Sequence, residues 1–180
     1  MGVLVSGVDL SLSSAGLADP SGRLSTHGSS PSGPSIEDRV VRVRSLVARL
    51  VEGAVLEPGT VVVLEGPAFS RQAQAGVHLR AGAWWLLADA LVAARAQLVE
   101  VSPSALKKFA TGRGNATKGD MRMALYKRAD LDVRDDNQVD AWWLRQFGLH
   151  LVGDAARLPL PAGQLAVLER AVLPALGLGL

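Results

Sequence analysis

The apolar positions of this chain keep two rhythms. An apolar run opening at Val3 and rich in β-branched residues reads as a buried strand that ends at Asp9, and Thr60 to Leu64 reads as a second one ending at Glu65. Ala15 to Ala18 and Arg23 to His27 are shorter strands, joined by the turn Asp19-Pro20-Ser21-Gly22, so that the first three strands form an antiparallel meander. Leu98 to Val101 is the fifth. Between them the period lengthens to that of a helix. Ser35-Ile36-Glu37-Asp38 is a capping box that opens a helix carrying Val40, Val43, Leu46, Val47 and Leu50 on one face. A long helical pattern runs from near Ser70 through Trp84 and Trp85 to about Ala96, the Trp pair reading as core or as a dimer surface. Ser102-Pro103 starts another helix, Thr117 caps a fourth, and Asp135-Asp136 opens a fifth. Residues 151–180 read as an apolar loop and a helix spanning 162–173, an extension of one α/β domain covering 1–180.

The strand pattern leaves acids in places where charge is costly. A carboxylate at the end of a core strand is paired, hydrogen-bonded, bound to a cation or neutral. Asp9 can merely cap its turn, and Asp136 and Asp140 can merely favour a helix N-terminus. Three such sites together suggest more. The strands that carry Asp9 and Glu65 can be neighbours in a mixed sheet, and a helix packed across their ends would bring Asp140, with Asp136 four residues before it on the same face, to the same point. Carboxylates with no His or Cys cluster suit hard divalent cations, magnesium or manganese, and two such ions can position a water and stabilise the leaving oxygen of a phosphodiester.

Charge adds a partner. The formal charge is only +2, yet Lys107, Lys108, Arg113, Lys118, Arg122, Lys127 and Arg128 crowd one segment against the single acid Asp120. Such a patch is either a solvated face or a polyanion site. Gly112-Arg113-Gly114 followed by the Thr117 cap fits a backbone clamp on nucleic acid, having neither Walker nor dinucleotide spacing. There are no cysteines, which excludes disulfides and thiolate zinc sites, and no stretch of about 18 apolar residues or signal-peptide pattern, so no membrane association and a cytoplasmic location are expected.

Four motifs in this order resemble the RuvC-type Holliday junction resolvases: Gly7-Val8-Asp9-Leu10-Ser11 with Gly16, Glu65 at its strand end, Pro103 to Lys108 leading to Thr111-Gly112-Arg113-Gly114-Asn115-Ala116-Thr117-Lys118, and Asn137-Gln138-Val139-Asp140-Ala141. The resemblance covers about residues 3–148. It implies a ribonuclease H-like fold with a five-stranded mixed sheet and helices on both faces, and a homodimer that nicks four-way DNA junctions in pairs with two magnesium ions per site, manganese substituting. It carries the catalytic and metal-binding roles onto Asp9, Glu65 and Asp140, and DNA contact onto Lys107 and Lys118. Lys108, Arg113, Arg71 and Phe69 complete the expected DNA surface, Phe69 being either a wedge at the junction or a buried staple. Where the family often has an acid or a His, this chain has Asn137 preceded by Asp136, an order similar to phage-borne members. Asp136 is the expected fourth ligand, with Asn137 as the weaker alternative.

Three other classes compete. Sugar kinases and actin-like ATPases also begin with a strand, an Asp and a Gly-rich turn, but need a second phosphate loop that this chain lacks. A nuclease for RNA–DNA hybrids or for branched DNA generally would use the same carboxylates. A non-catalytic DNA-binding module would have no need to keep all three acids.

Overall fold

The computed structural model describes residues 2–30, 33–67 and 77–171. Its strands are β1 (Val5–Asp9), β2 (Ala15–Ala18), β3 (Leu24–His27), β4 (Val61–Glu65) and β5 (Gln97–Val101). They form one mixed sheet in the order β3-β2-β1-β4-β5. The meander β1-β2-β3 is antiparallel, whereas β4 runs parallel to both β1 and β5. Asp19 sets the second hairpin by accepting hydrogen bonds from the backbone N–H of Ser21 and Arg23 at 2.9 and 3.0 Å. Gly22 takes the left-handed φ of 89° that closes this turn.

Parallel pairing requires crossovers, and these cover the sheet. Helices α1 (Ile36–Ala54) and α2 (Val77–Ala93) lie on one face; α3 (Pro103–Thr111), α4 (Lys118–Ala129) and α5 (Asp136–Leu151) lie on the other. Alternate residues of β4 therefore enter different cores. Val61 and Val63 pack with Phe109, Trp143 and Phe147 of α3 and α5, while Val62 and Leu64 pack with Leu46, Leu50 and Leu87 of α1 and α2. Phe109 meets Phe147 at a ring separation of 5.0 Å, which locks α3 against α5.

The expected caps are present. Ser35 and Asp38 form the capping box of α1, Ser102 caps α3 with Pro103 behind it, and Thr117 with Asp120 forms a second box on α4. Two expectations need correction. Val40, placed by its spacing on the inner face of α1, is 42% exposed, because the first turns of that helix, with Ile36 and Val41 also exposed, extend past the core. The helix expected over 162–173 is instead one turn, α6 (Ala162–Leu165), followed by a 3-10 turn at Leu168–Arg170. Its start at Pro161 has no side-chain cap to stabilise a longer helix. Gln164 holds it in place, donating to the Phe109 carbonyl at 2.6 Å and accepting from Arg128 at 2.9 Å. Among the described residues no helix is long and apolar enough to cross a membrane.

Candidate active site

Strand register brings the first two acids together. Val8 lies opposite Leu64 across the parallel β1–β4 pair, so the next residues, Asp9 and Glu65, leave the same end of neighbouring strands. Trp84 pins that end by donating its indole N–H to the Glu65 carbonyl at 2.9 Å, and so belongs to the core, while Trp85 beside it is 68% exposed. The third acid comes from across the sheet. A Cβ on Gly7 would stand 2.1 Å from the Ala141 carbonyl oxygen, and one on Gly16 would stand 2.0 Å from that of Asn137. Only glycine lets the α5 backbone lie this close to β1 and β2, and the two contacts flank Asp140. Asp140 is thereby set over the ends of the strands.

The three carboxylates share one electrostatic environment. Burial pushes Asp9 up to about 7, with the charge of Asp140 adding to the rise. Burial likewise lifts Glu65 to about 8, reinforced by Asp9 and then Asp140. Asp140 rises to about 6, again chiefly through burial. Cations oppose these shifts: Lys118 acts on all three, Lys107 on Glu65 and Asp140, and Arg80 on Asp9. Among the described residues none of the three carboxylates accepts a hydrogen bond or forms an ion pair, and none of their oxygens is sealed from solvent. An all-oxygen donor set with no His or Cys in it, whose protons a cation would displace, fits a hard divalent cation. The fit is one of donor chemistry. Among the described residues no group of three or more His, Cys, Asp or Glu side chains is drawn together tightly enough to hold an ion, so the carboxylates would have to close on it.

Asp136, the expected fourth ligand, has basic partners. Its carboxylate accepts from Arg122 Nε at 2.6 Å and pairs with Lys118 Nζ at 3.2 Å, and the bond from Arg122 holds its pKa below the usual range. It influences Asp140 but sits in a basic clasp of its own. Asp135, which the spacing marks only as a cap, accepts from the Asn137 backbone N–H at 2.9 Å and from Thr26 Oγ1 at 2.6 Å, and its charge reaches Asp9. Of the basic residues, Lys107 and Lys118 face the acids, Arg113 pairs with Asp120 at 2.9 Å, and Lys108 is exposed in the last turn of α3. Phe69 and Arg71 lie outside the described residues. Arg80 is the cation that sequence reasoning missed; its place in the helical period gives no sign that it approaches Asp9.

A five-stranded mixed sheet of this order with helices on both faces is a ribonuclease H-like α/β fold. Among solved structures the chain is similar to RuvC of Thermus thermophilus, with a TM-score of 0.56 and 24% identity over 78% of this chain and 90% of that one. It is also similar to T. thermophilus RuvC in complex with Holliday junction substrate, with a TM-score of 0.51 and 20% identity over 78% of this chain and 89% of that one. No protein-family model and no curated protein matches the chain by sequence. The likeness is one of fold.

Proposed function

We propose that this chain is a divalent-metal-dependent endonuclease that resolves four-way DNA junctions by paired nicks. The observation that carries the reading is the set of Asp9, Glu65 and Asp140, coupled through burial and charge beside Lys107 and Lys118, on a fold shared with a resolvase solved with Holliday junction substrate. Asp9, Glu65 and Asp140 would hold magnesium, with manganese as a substitute. Two such ions, when bound, supply the positive charge that activates a water and stabilises the leaving oxygen of a phosphodiester.

The chain's own residues do the rest. Lys107 and Lys118 offer cations to the phosphate beside the acids, and at the same time temper the repulsion among the three carboxylates. Arg113, Lys108 and the glycine turn at Gly112 extend the basic surface along the DNA backbone. Asp136 holds Lys118 and Arg122 rather than completing a ligand set. Paired nicks call for two sites and hence a homodimer, for which the exposed Trp85 and Val92 of α2 offer an apolar face. The order Asp136-Asn137 keeps this reading within the phage-borne resolvases, on sequence resemblance alone.

The test is cleavage of a labelled immobile four-way junction beside a linear duplex, a flap and an RNA–DNA hybrid, with magnesium or chelator, for wild type and Asp140→Asn. Symmetric, metal-dependent nicks in the junction that vanish in the variant are expected. Cutting of the hybrid alone would replace the substrate, and binding without nicks would make the chain a non-catalytic module.

A further inference from the structure

Helix α4 carries a second feature that the carboxylate site does not use. Lys118, Arg122 and Tyr126 recur every four residues and so form one stripe along it. At one end, Lys118 acts on Asp9, Glu65 and Asp140. Along the helix, from Gly119 to Tyr126, runs an open cleft of about 560 Å³ between α4 and residues 131–134. Its apolar surface is Tyr126, Met123 and Leu131, which are 53%, 51% and 38% exposed. Arg122 and Arg134 flank this surface with two guanidinium groups, Arg122 bonded through Nε to Asp136 at 2.6 Å, and Asp132 is the acid in the lining.

A flat aromatic face and a thioether beside two guanidinium groups match one ligand chemistry better than others. Any nucleobase offers a π-face to Tyr, and its phosphate offers oxygens in the geometry of the Arg fork. An acidic peptide would answer the arginines but not the aromatic platform. A paired base would first have to leave its stack, so the strand must be unpaired there.

We propose that this cleft receives one unpaired nucleotide of a DNA strand that runs along α4 from the carboxylate site. The base rests on Tyr126, Met123 and Leu131, and the phosphate on Arg122 and Arg134. The direction of the strand rests on the nuclease reading; the affinity of the cleft for an unpaired nucleotide does not.

The experiment is fluorescence anisotropy with a labelled dT8 oligonucleotide and with a fully paired four-way junction, both in chelator, for wild type, Tyr126→Ala, Tyr126→Phe and Arg134→Ala. Wild type binds dT8, Tyr126→Ala weakens this at least about fivefold, and Tyr126→Phe, which keeps the aromatic face, stays within twofold. Arg134→Ala lowers the slope of log K against log salt by about 0.7. The cleft is refuted if wild type ignores dT8, if Tyr126→Ala binds it as wild type does, or if Tyr126→Phe loses as much as Tyr126→Ala. Tyr126-dependent binding of dT8 with no binding of the junction would overturn the junction reading and leave the cleft standing.

Discussion

Replacing Asp9 by Asn should make the metal-free protein more stable, because the wild-type fold pays for an ionised carboxylate in a buried place. The carboxyl ionises at about 7 in the fold against 3.8 for an ordinary Asp. At 1.36 kcal/mol for each tenfold change, the ionised fold is disfavoured by about 4 kcal/mol at pH 8. Water reaching the oxygens screens part of this and leaves about 2 kcal/mol, or a rise in Tm of roughly 4–8 °C for a chain of this size. The sign follows from proton binding. Because the fold keeps a proton that the unfolded chain releases, wild-type stability starts to fall as pH rises past 3.8 and stops falling once pH exceeds about 7. The advantage of the variant is therefore full at pH 8, shrinks to about a third at pH 5 and is gone near pH 3.8. Thermal melts of both proteins in chelator at pH 8 and pH 5 measure it. A variant that melts at or below wild type at pH 8 refutes the buried charge. Adding magnesium at pH 8 then examines the proposed ligand, since it should raise the Tm of wild type and leave that of Asp9→Asn unchanged.

Three further substitutions separate packing from chemistry. Gly7→Ala drives a methyl group into the backbone at Ala141 and Arg145, and should cost about 1–3 kcal/mol in urea unfolding while lowering junction cleavage at least about tenfold as Asp140 moves; an unchanged urea midpoint would contradict the close approach of α5. Lys118→Ala should slow cleavage and reduce the salt slope of junction binding by about one, and unchanged values of both would remove Lys118 from the DNA surface. Asp136→Asn frees Lys118 and Arg122, whose side chains are 70% and 45% exposed, so stability should change by less than about 1 kcal/mol and cleavage by less than about tenfold; a hundredfold loss would return Asp136 to the ligand set.

What could be read from sequence was what local chemistry decides. Strands ending at Asp9 and Glu65 announce themselves by apolar runs rich in β-branched residues, and Ser35, Ser102 and Thr117 mark helix starts because a cap satisfies backbone groups within the same turn. The helical period shows which residues share a face but not what that face meets. It put Val40 inward, left Trp84 and Trp85 undivided, and did not show what Asp136 pairs with. In the structure Asp136 is held by Lys118 and Arg122, from a helix that precedes it by a loop. The charge of Arg80 acts on Asp9 across 71 positions of chain and Thr26 donates to Asp135 across 109, and no local pattern encodes either.

The sheet order has a consequence for synthesis. Hairpins β1-β2-β3 and the β1–β4 pair can form from the first 65 residues, so Asp9 and Glu65 can meet early, while the Gly7 and Gly16 grooves stand open. The cations Lys107 and Lys118 follow only in the second half of the chain, and Asp140 in its last third. A chain still on the ribosome thus holds an incomplete set of acids and has no lysine near them, and on the proposed reading it cannot cut DNA until α5 has docked. On that reading, the helix made last in the site sets when cutting can begin.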